Sequence, residues 1–508
     1  MAQQLQNVTI SAPAFSGINT QDSPIDLDPS FARIADNCVI DSFGRIGARN
    51  GYELLTTDAT DLGGSIGTES LFEFIDQSGD IVVLSAANNK LFSGTTTLTE
   101  LSSGTTITAN NWKFANLNNH CYLFQKGHES LIFTDASGSA TLTKFSSFGS
   151  ASGTAPQANE VISAFGRLWA ADVTGNQHTV FFSHLQIGYQ WTGGSSGSLD
   201  ITSVLPAGED PIVALAAHNG KLIIFCRNTI LIYAGATTPS SMTLEDTIVG
   251  VGCIARDSVV SIGTDLLFLS DSGLRSLGRT IQEKSAAIGD LSQNVRNDLI
   301  GDIATETGNI KAVYSPENSF YLLALPSNEK VYVFDISKVL PTGAFRVTTW
   351  SSIKPLCFVR ERDGDLIFGR AGGIAKYSTF KDDDAAFTLQ YFSNPLAFQQ
   401  PANVKFLKKF NLTIIGGAAT SVVFKWGYDY SEAYETQNFT IGSSAAAEYG
   451  VSEYGGTAEY TASLLVNTPK INATGGGEVV TVGLEANIAG APFSIQRIDI
   501  LVLLGRIL

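Results

Sequence analysis

The sequence reads as all-β: a β-propeller of about seven blades, with roughly six to eight allowed, carrying an N-terminal strap and a C-terminal β-sandwich-like domain. Three observations predict this. Charged residues make up only 16% of the 508-residue chain, whereas average soluble domains carry roughly 25%. The deficit is filled by 49 glycines and by runs such as Ser93-Gly94-Thr95-Thr96-Thr97, which favour strands and turns over helices. Between about Gly67 and Phe387, short apolar runs alternate with turn chemistry in units that recur every roughly 40 to 50 residues.

Taken in order, residues 1–60 read as the strap and its closing strands. Residues 61–385 read as the propeller. Its first unit is Leu71-Phe72-Glu73-Phe74-Ile75, a turn at Asp76 to Asp80, the run Ile81 to Ser85, the turn Asn88-Asn89 and the run Lys90-Leu91-Phe92. The same grammar returns at Trp112 to Phe133, Glu160 to His184, Pro211 to Ala234, Ser258 to Gly278, Ile310 to Trp350 and Ile353 to Phe380. Asn118-Asn119, Asn219-Gly220, Asp271-Ser272-Gly273 and Asp363-Gly364 supply hairpin turns. Radial closure of such meanders leaves few exposed strand edges. A set of sandwiches, or one irregular β domain, is the alternative reading of the same pattern.

One helix is expected, from Asp290 to Gly301, with Leu291, Val295 and Leu299 on one face and Gly301 as its stop. It serves either as a rim cap or as a partner contact. Asp382-Asp383-Asp384 marks a boundary, and residues 386–508 are again strand-like, at Asn403 to Ile415, Thr420 to Tyr428 and Ile495 to Leu504. Within them Glu448-Tyr449-Gly450, Glu453-Tyr454-Gly455 and Glu459-Tyr460 form a near repeat. Tyr449, Tyr454 and Tyr460 are therefore candidate partner contacts, weighed against plain surface decoration.

The charge balance, 32 Lys+Arg against 48 Asp+Glu, gives −16, and Lys408-Lys409 is the one adjacent basic pair. A protein that grips nucleic acid needs clustered basic residues, so sequence-specific binding is disfavoured, as is attraction to an anionic membrane. An acidic wall can still contain DNA without holding it. The excess is not concentrated at one end: residues 381–508 contribute −4 and residues 1–380 the other −12. Cys38, Cys121, Cys226, Cys253 and Cys357 are scattered singly with no CxxC, which argues against a disulfide framework and for a reducing site of synthesis. Met1 to Gln6 lacks the regions of a signal peptide, and no apolar run approaches the roughly 20 residues of a membrane helix. A protein made in the cytoplasm without membrane insertion is expected.

Signals for chemistry are thin. Gly193-Gly194-Ser195-Ser196-Gly197 fits the hydrolase pattern G-x-S-x-G, but that elbow needs a strand before the serine and a helix after it, and no helix pattern follows. His120, His128, His178, His184 and His218 show no HxxxH or HExxH spacing. Asp76 to Asp80 and Asp363-Gly364-Asp365 offer oxygen ligands for calcium, yet ordinary Asx turns explain the same residues. No phosphate-cradling glycine motif sits between a strand and a helix. The expectation is a non-enzyme with no cofactor and no metal.

The N-terminal stretch Phe15-Ser16-Gly17-Ile18-Asn19-Thr20-Gln21-Asp22-Ser23-Pro24, followed by Ala35-Asp36-Asn37-Cys38 and Phe43-Gly44-Arg45-Ile46-Gly47-Ala48-Arg49-Asn50-Gly51-Tyr52, resembles the opening of the tail nozzle proteins of short-tailed bacteriophages. These are also called tail tubular protein B or packaged-DNA stabilisation proteins. Phe165-Gly166-Arg167-Leu168-Trp169-Ala170-Ala171, with Val180-Phe181-Phe182-Ser183, is similar to the family's propeller segment. The similarity runs as separate motifs over most of residues 15–385, and nothing beyond 386 matches. The residues that carry it are Asn19, Ser23, Pro24, Asn37, Gly44, Arg45, Arg49, Gly51, Trp169 and Ser183. Physically, Ser23-Pro24 imposes an extended entry, Gly44 and Gly51 permit tight backbone geometry, and Arg45 and Arg49 are set to pair with carboxylates. The strap either closes the propeller ring or reaches another subunit.

The resemblance implies a structural virion component, a homohexameric tube below the portal and tail adaptor that retains packaged DNA and conducts it during ejection. Its implied partners are further copies of itself, the adaptor, tail fibres or tailspikes, and DNA passing through the lumen without sequence-specific binding. Two other readings stand beside it: a propeller glycan hydrolase or lyase using paired carboxylates around the central channel, and a host-surface adhesin.

Overall fold

A computed structural model describes residues 5–12, 15–24, 27–56, 67–102, 105–136, 139–205, 208–283, 290–431, 433–442 and 466–507. The chain divides into two compact units, one of residues 1–53, 330–353 and 377–508, the other of residues 54–329 and 354–376. The sequence places its cuts at 60 and 385 and keeps 330–353 in the propeller; strand partners, not compositional breaks, draw the observed division.

The second unit is the propeller. Four of its sheets are four-stranded antiparallel meanders that start at Thr68–Ile75, Lys113–Leu117, Ala158–Ala164 and Ile212–His218. A fifth, three-stranded, runs through Val260–Ser261, Leu266–Ser270 and Gly273–Ser276. A sixth starts at Cys357–Arg360 and continues through Leu366–Arg370 to the strand beginning at Gly373. Between the fifth and sixth lies the hairpin Lys311–Ser315 with Phe320–Leu325. Among the described residues, six separate blade sheets fall inside the range of six to eight that the sequence allows. Leu55 and Thr56 donate their amides to the carbonyl of Ile374, so chain from the N-terminal side completes the sixth blade.

Strands such as Leu222 to Cys226 are buried at every position because each blade is covered on both faces by its neighbours. One apolar cluster joins the first and second blades, with Phe74 edge-on to Phe133 at 5.3 Å. Others join the second to the third and the third to the fourth. A further cluster links the fourth to the fifth, where Phe225 meets Phe268 at 5.0 Å. Leu71, Val83 and Phe92 pack on Cys357, Ile367 and Ile374, which joins the last blade to the first and closes the ring.

The expected turns take shape as hairpins. Asn88-Asn89, Asn118-Asn119 and Asn219-Gly220 all have both central residues at positive φ, the type I′ geometry that matches strand twist. Phe165-Gly166 does the same, with Phe165 held at φ 54°. The helix differs from expectation. Gln293–Val295 is a 3-10 turn, the α-helix is Arg296–Thr305, and a second short helix, Leu277–Glu283, was not signalled. Leu291, Val295 and Leu299 are buried as their spacing requires. Gly301 does not stop the helix because it keeps helical backbone; the end comes at Glu306, whose carboxylate accepts the amides of Gly308, Ser327 and Asn328.

The first unit is a two-sheet β-sandwich. In one sheet Asn403–Gly416 pairs with Phe493–Ile507, which pairs in turn with Leu5–Ser11, from Leu5 opposite Leu503 to Ser11 opposite Arg497. The other sheet runs through Phe345–Trp350, Phe31–Asp36, Phe387–Ser393, Val480–Ile488, Ser421–Tyr428 and Glu435–Thr440. Phe410 of the first sheet meets Phe424 of the second at 4.8 Å and Trp426 at 5.8 Å. The sandwich expected of residues 386–508 therefore also uses the strap and residues 330–353. Tyr449, Tyr454 and Tyr460 lie outside the described residues.

Candidate functional site

Where the inner strands of the propeller converge, charged side chains meet. Lys113 opens the strand Lys113–Leu117, Glu160 sits in Ala158–Ala164, Arg256 and Asp257 lead into Val260–Ser261, and Lys311 opens Lys311–Ser315. The backbone is tied here too, the amide of Ala312 donating to the carbonyl of Asp257 at 2.9 Å. Asp257 is the hub: its Oδ1 lies 2.9 Å from Lys113 Nζ, and its Oδ2 lies 2.7 Å from both Lys311 Nζ and an Arg256 guanidinium nitrogen. Glu160 Oε2 stands 3.4 Å from Lys113 Nζ, an ion pair too long to be a good hydrogen bond. Asn111 Oδ1 accepts from Arg256 at 2.7 Å and from Lys311 at 2.6 Å, and Arg256 also donates to the carbonyl and side-chain oxygen of Asn159.

Burial and pairing pull these groups in different directions. Burial pushes the Asp257 carboxyl up, but Arg256, Lys113 and Lys311 outweigh it and hold it well below the ordinary range. For Glu160 burial wins over Lys113 and Arg256, and its carboxyl rises to about 7. Burial likewise lowers Lys311 despite Asp257, whereas Asp257 and Glu160 more than offset burial at Lys113 and raise it. Beside this cluster opens a cavity of about 240 Å³ lined by Lys113, Lys311, Asp257, Ser70, Phe72 and Trp112, among others.

The residues singled out by sequence are dispersed. Arg49 is fully buried; its guanidinium grips both oxygens of Asp382, at 2.8 and 2.6 Å, donates to Asn37 Oδ1 at 3.1 Å and lies over the Phe387 ring at 4.0 Å. Asn37, at φ 52°, turns its amide nitrogen to the carbonyl of Thr388 at 2.9 Å. Gly51 packs so closely on residue 381 that a Cβ would stand 1.8 Å from the Lys381 carbonyl oxygen. Gly44, at φ 75°, turns the hairpin in which Arg45 pairs with Asp41 at 2.6 Å. Asn19 is a buried Asx turn, its Oδ1 accepting the amides of Gln21 and Asp22, while Ser23 and Pro24 are exposed.

These residues belong to the sandwich unit, and Asn37, Arg49, Ser352 and Asp382 form one network there. Trp169 and Ser183 belong to the propeller. Trp169 is fully buried with Nε1 donating to the carbonyl of Ala164 at 3.0 Å, and the Ser183 hydroxyl accepts the amide of Leu168 at 3.0 Å. Asn19, Asn37, Gly44, Arg49, Gly51, Trp169 and Ser183 act on backbone and packing.

Ser195 sits in a turn that runs into the strand Gly197–Asp200, and its hydroxyl accepts from Arg167 at 2.9 Å, so the helix a nucleophile elbow needs is replaced by a strand. Glu361, Asp363 and Asp365 bring ligand oxygens within 4.8 Å of one another at a hairpin turn. Burial, with Asp363, Glu73 and Asp365 nearby, raises Glu361 to about 7, while Lys376 pairs with Asp365. At the other acidic turn, the Asp76 carboxylate accepts the Ser78 hydroxyl and the Asp80 amide, which is ordinary Asx geometry. The central cluster was missed by sequence reasoning because its members lie far apart in the chain. A signal did exist: Lys113, Glu160 and Lys311 are each the one charged residue of its strand.

Neither a protein-family model nor a curated protein matches the chain. Among solved structures it is similar to the β-propeller domain of Cps50 (Swd1) from Myceliophteria thermophila, at 11% identity and a TM-score of 0.39 over 62% of this chain and 96% of that one. The RRP9 WD40 repeats align at 8% identity and a TM-score of 0.40, covering 65% and 99%. The Pan2 WD40 domain of Neurospora crassa aligns at 10% identity and 0.35, covering 62% and 88%. Among the described residues no helix is long and apolar enough to cross a membrane. The order and closure of its own sheets make this chain a β-propeller joined to a β-sandwich.

Proposed function

We propose that this chain is a structural, non-enzymatic subunit of a virion: a tail nozzle of a short-tailed bacteriophage, made in the host cytoplasm and assembled as a homohexameric tube below the portal and adaptor. The tube retains packaged DNA and conducts it during ejection, and outer loops meet the adaptor and tail fibres or tailspikes. The observation that carries this reading is the N-terminal motif. Its residues Asn37, Arg49 and Gly51 serve as structural staples of the strap rather than as chemistry. The acidic balance, −16 overall, supports passage of DNA without adhesion. Electron microscopy of the purified protein and of particles tests it: rings of six subunits below an adaptor are expected, and a protein that stays monomeric and is absent from tails overturns it.

A second reading, a propeller hydrolase or lyase acting on glycans, draws on Glu160 and Asp257, two carboxylates at the propeller centre that burial and pairing drive apart. Against it, Asp257 is engaged by three cations and Glu160 is 1% exposed, which leaves neither free to reach a glycosidic oxygen. Release of oligosaccharides from host polysaccharide, lost in Glu160→Gln, would establish the second reading over the first.

A further inference from the structure

We propose that the centre of the propeller is a binding seat for one small oxyanion, a phosphate or a carboxylate, held by Lys113 and Lys311 at the wall of the cavity beside Asp257. Three cations, Lys113, Arg256 and Lys311, meet two carboxylates there, Asp257 and Glu160. Even with both carboxylates ionised, one positive charge is left over in a largely buried site, where the Lys311 side chain is 9% and that of Lys113 25% exposed, and a counter-charge there is stabilising. The adjoining pair of Lys126 and Asp172 is neutral in sum and leaves that excess unchanged. The burial that lifts Glu160 to about 7 removes part of its negative charge near neutral pH and enlarges the excess.

The donors are in place as well as the charge. An ammonium has three N–H groups. Lys311 Nζ uses two, on Asn111 and Asp257, and Lys113 Nζ uses one, on Asp257, its 3.4 Å contact with Glu160 being an ion pair rather than a hydrogen bond. Each keeps at least one for a ligand, and both line the same cavity of about 240 Å³. That is ample for one oxyanion together with a small apolar body against Phe72 and Trp112. Arg256 is fixed by Asn111, Asn159 and Asp257 and acts as a positioning residue that holds the hub.

Isothermal titration of the full-length protein with inorganic phosphate and, separately, with acetate, against chloride at matched ionic strength, tests the seat. Saturable binding of about one equivalent is expected for at least one of the two. Phosphate alone assigns the ligand to phosphates, acetate alone to carboxylates, and binding of both to oxyanions in general. Lys311→Gln and Lys113→Gln are each expected to weaken binding about tenfold, the effect of losing one charged hydrogen bond. Lys221→Gln, which removes a surface partner of Glu245, is expected to leave it unchanged. No saturable binding of either anion to the native protein, or unchanged affinity in whichever of the two central lysine variants folds, overturns the proposal.

Discussion

Replacing Arg49 by methionine removes the charge at the centre of the strap while keeping most of the side-chain volume. The guanidinium is fully buried and makes two hydrogen bonds to Asp382, one to Asn37, one to the carbonyl of Asn50 and one to Ser352. Without it Asp382, 8% exposed, keeps the Ser352 hydroxyl at 3.0 Å and loses the cation that pairs with it. Breaking one side of a buried pair costs about 3–5 kcal/mol, because the partner is left charged and dry. That is a large share of a typical total of about 5–15 kcal/mol.

Equilibrium urea unfolding followed by tryptophan fluorescence reads the effect, since Trp350 stacks on Tyr377 at 5.3 Å in the same unit. Asp382→Leu added to Arg49→Met is expected to recover much of the loss, because an apolar pair carries no desolvation penalty. A cost below about 1 kcal/mol for Arg49→Met, or no recovery in the double variant, refutes the view that the pair staples the strap.

Glu160 predicts a pH effect of definite sign. Its carboxyl rises from 4.5 to about 7 in the folded protein, so between those values the folded state holds a proton that the unfolded chain has released. Stability therefore falls as pH rises through that window, by at most about 3 kcal/mol. Glu160→Gln should flatten this part of the profile between about pH 5 and pH 8, and parallel melting profiles for variant and wild type would contradict it. Gly51→Ala should cost about 3 kcal/mol or more, read as a lowered melting temperature, since the new Cβ would meet backbone that cannot move aside cheaply. All five cysteines are free and buried, and burial raises every thiol, Cys253 to about 11 and Cys357 to about 12. A thiol reagent should label none of them in the native protein and all of them in denaturant, so fast labelling of any one would show that its site opens.

Strand grammar and turn chemistry are local, which is why the blades could be read directly. Asn118-Asn119 and Asn219-Gly220 favour positive φ on their own account, and the runs they join are apolar because both faces of a blade are covered. The same locality explains the misplaced helix end: Gly301 carries a stop signal, but the capping that ends the helix comes from Glu306 and its bonds to residues 327 and 328, which are distant in sequence.

By itself the sequence determined the all-β class, the propeller with its hairpins, the absence of a disulfide framework and the motif residues of the strap. Only the tertiary structure decided that Leu5–Ser11 pairs with residues 497–503, that residues 330–353 join the sandwich, and that Arg49 finds Asp382. It alone gathers Lys113, Glu160, Arg256, Asp257 and Lys311 at one point. The reason is physical: hydrophobic periodicity and turn preference act over a few neighbouring residues, whereas a buried charge is tolerated only where chain closure brings its partner, and no local pattern records which partner that is.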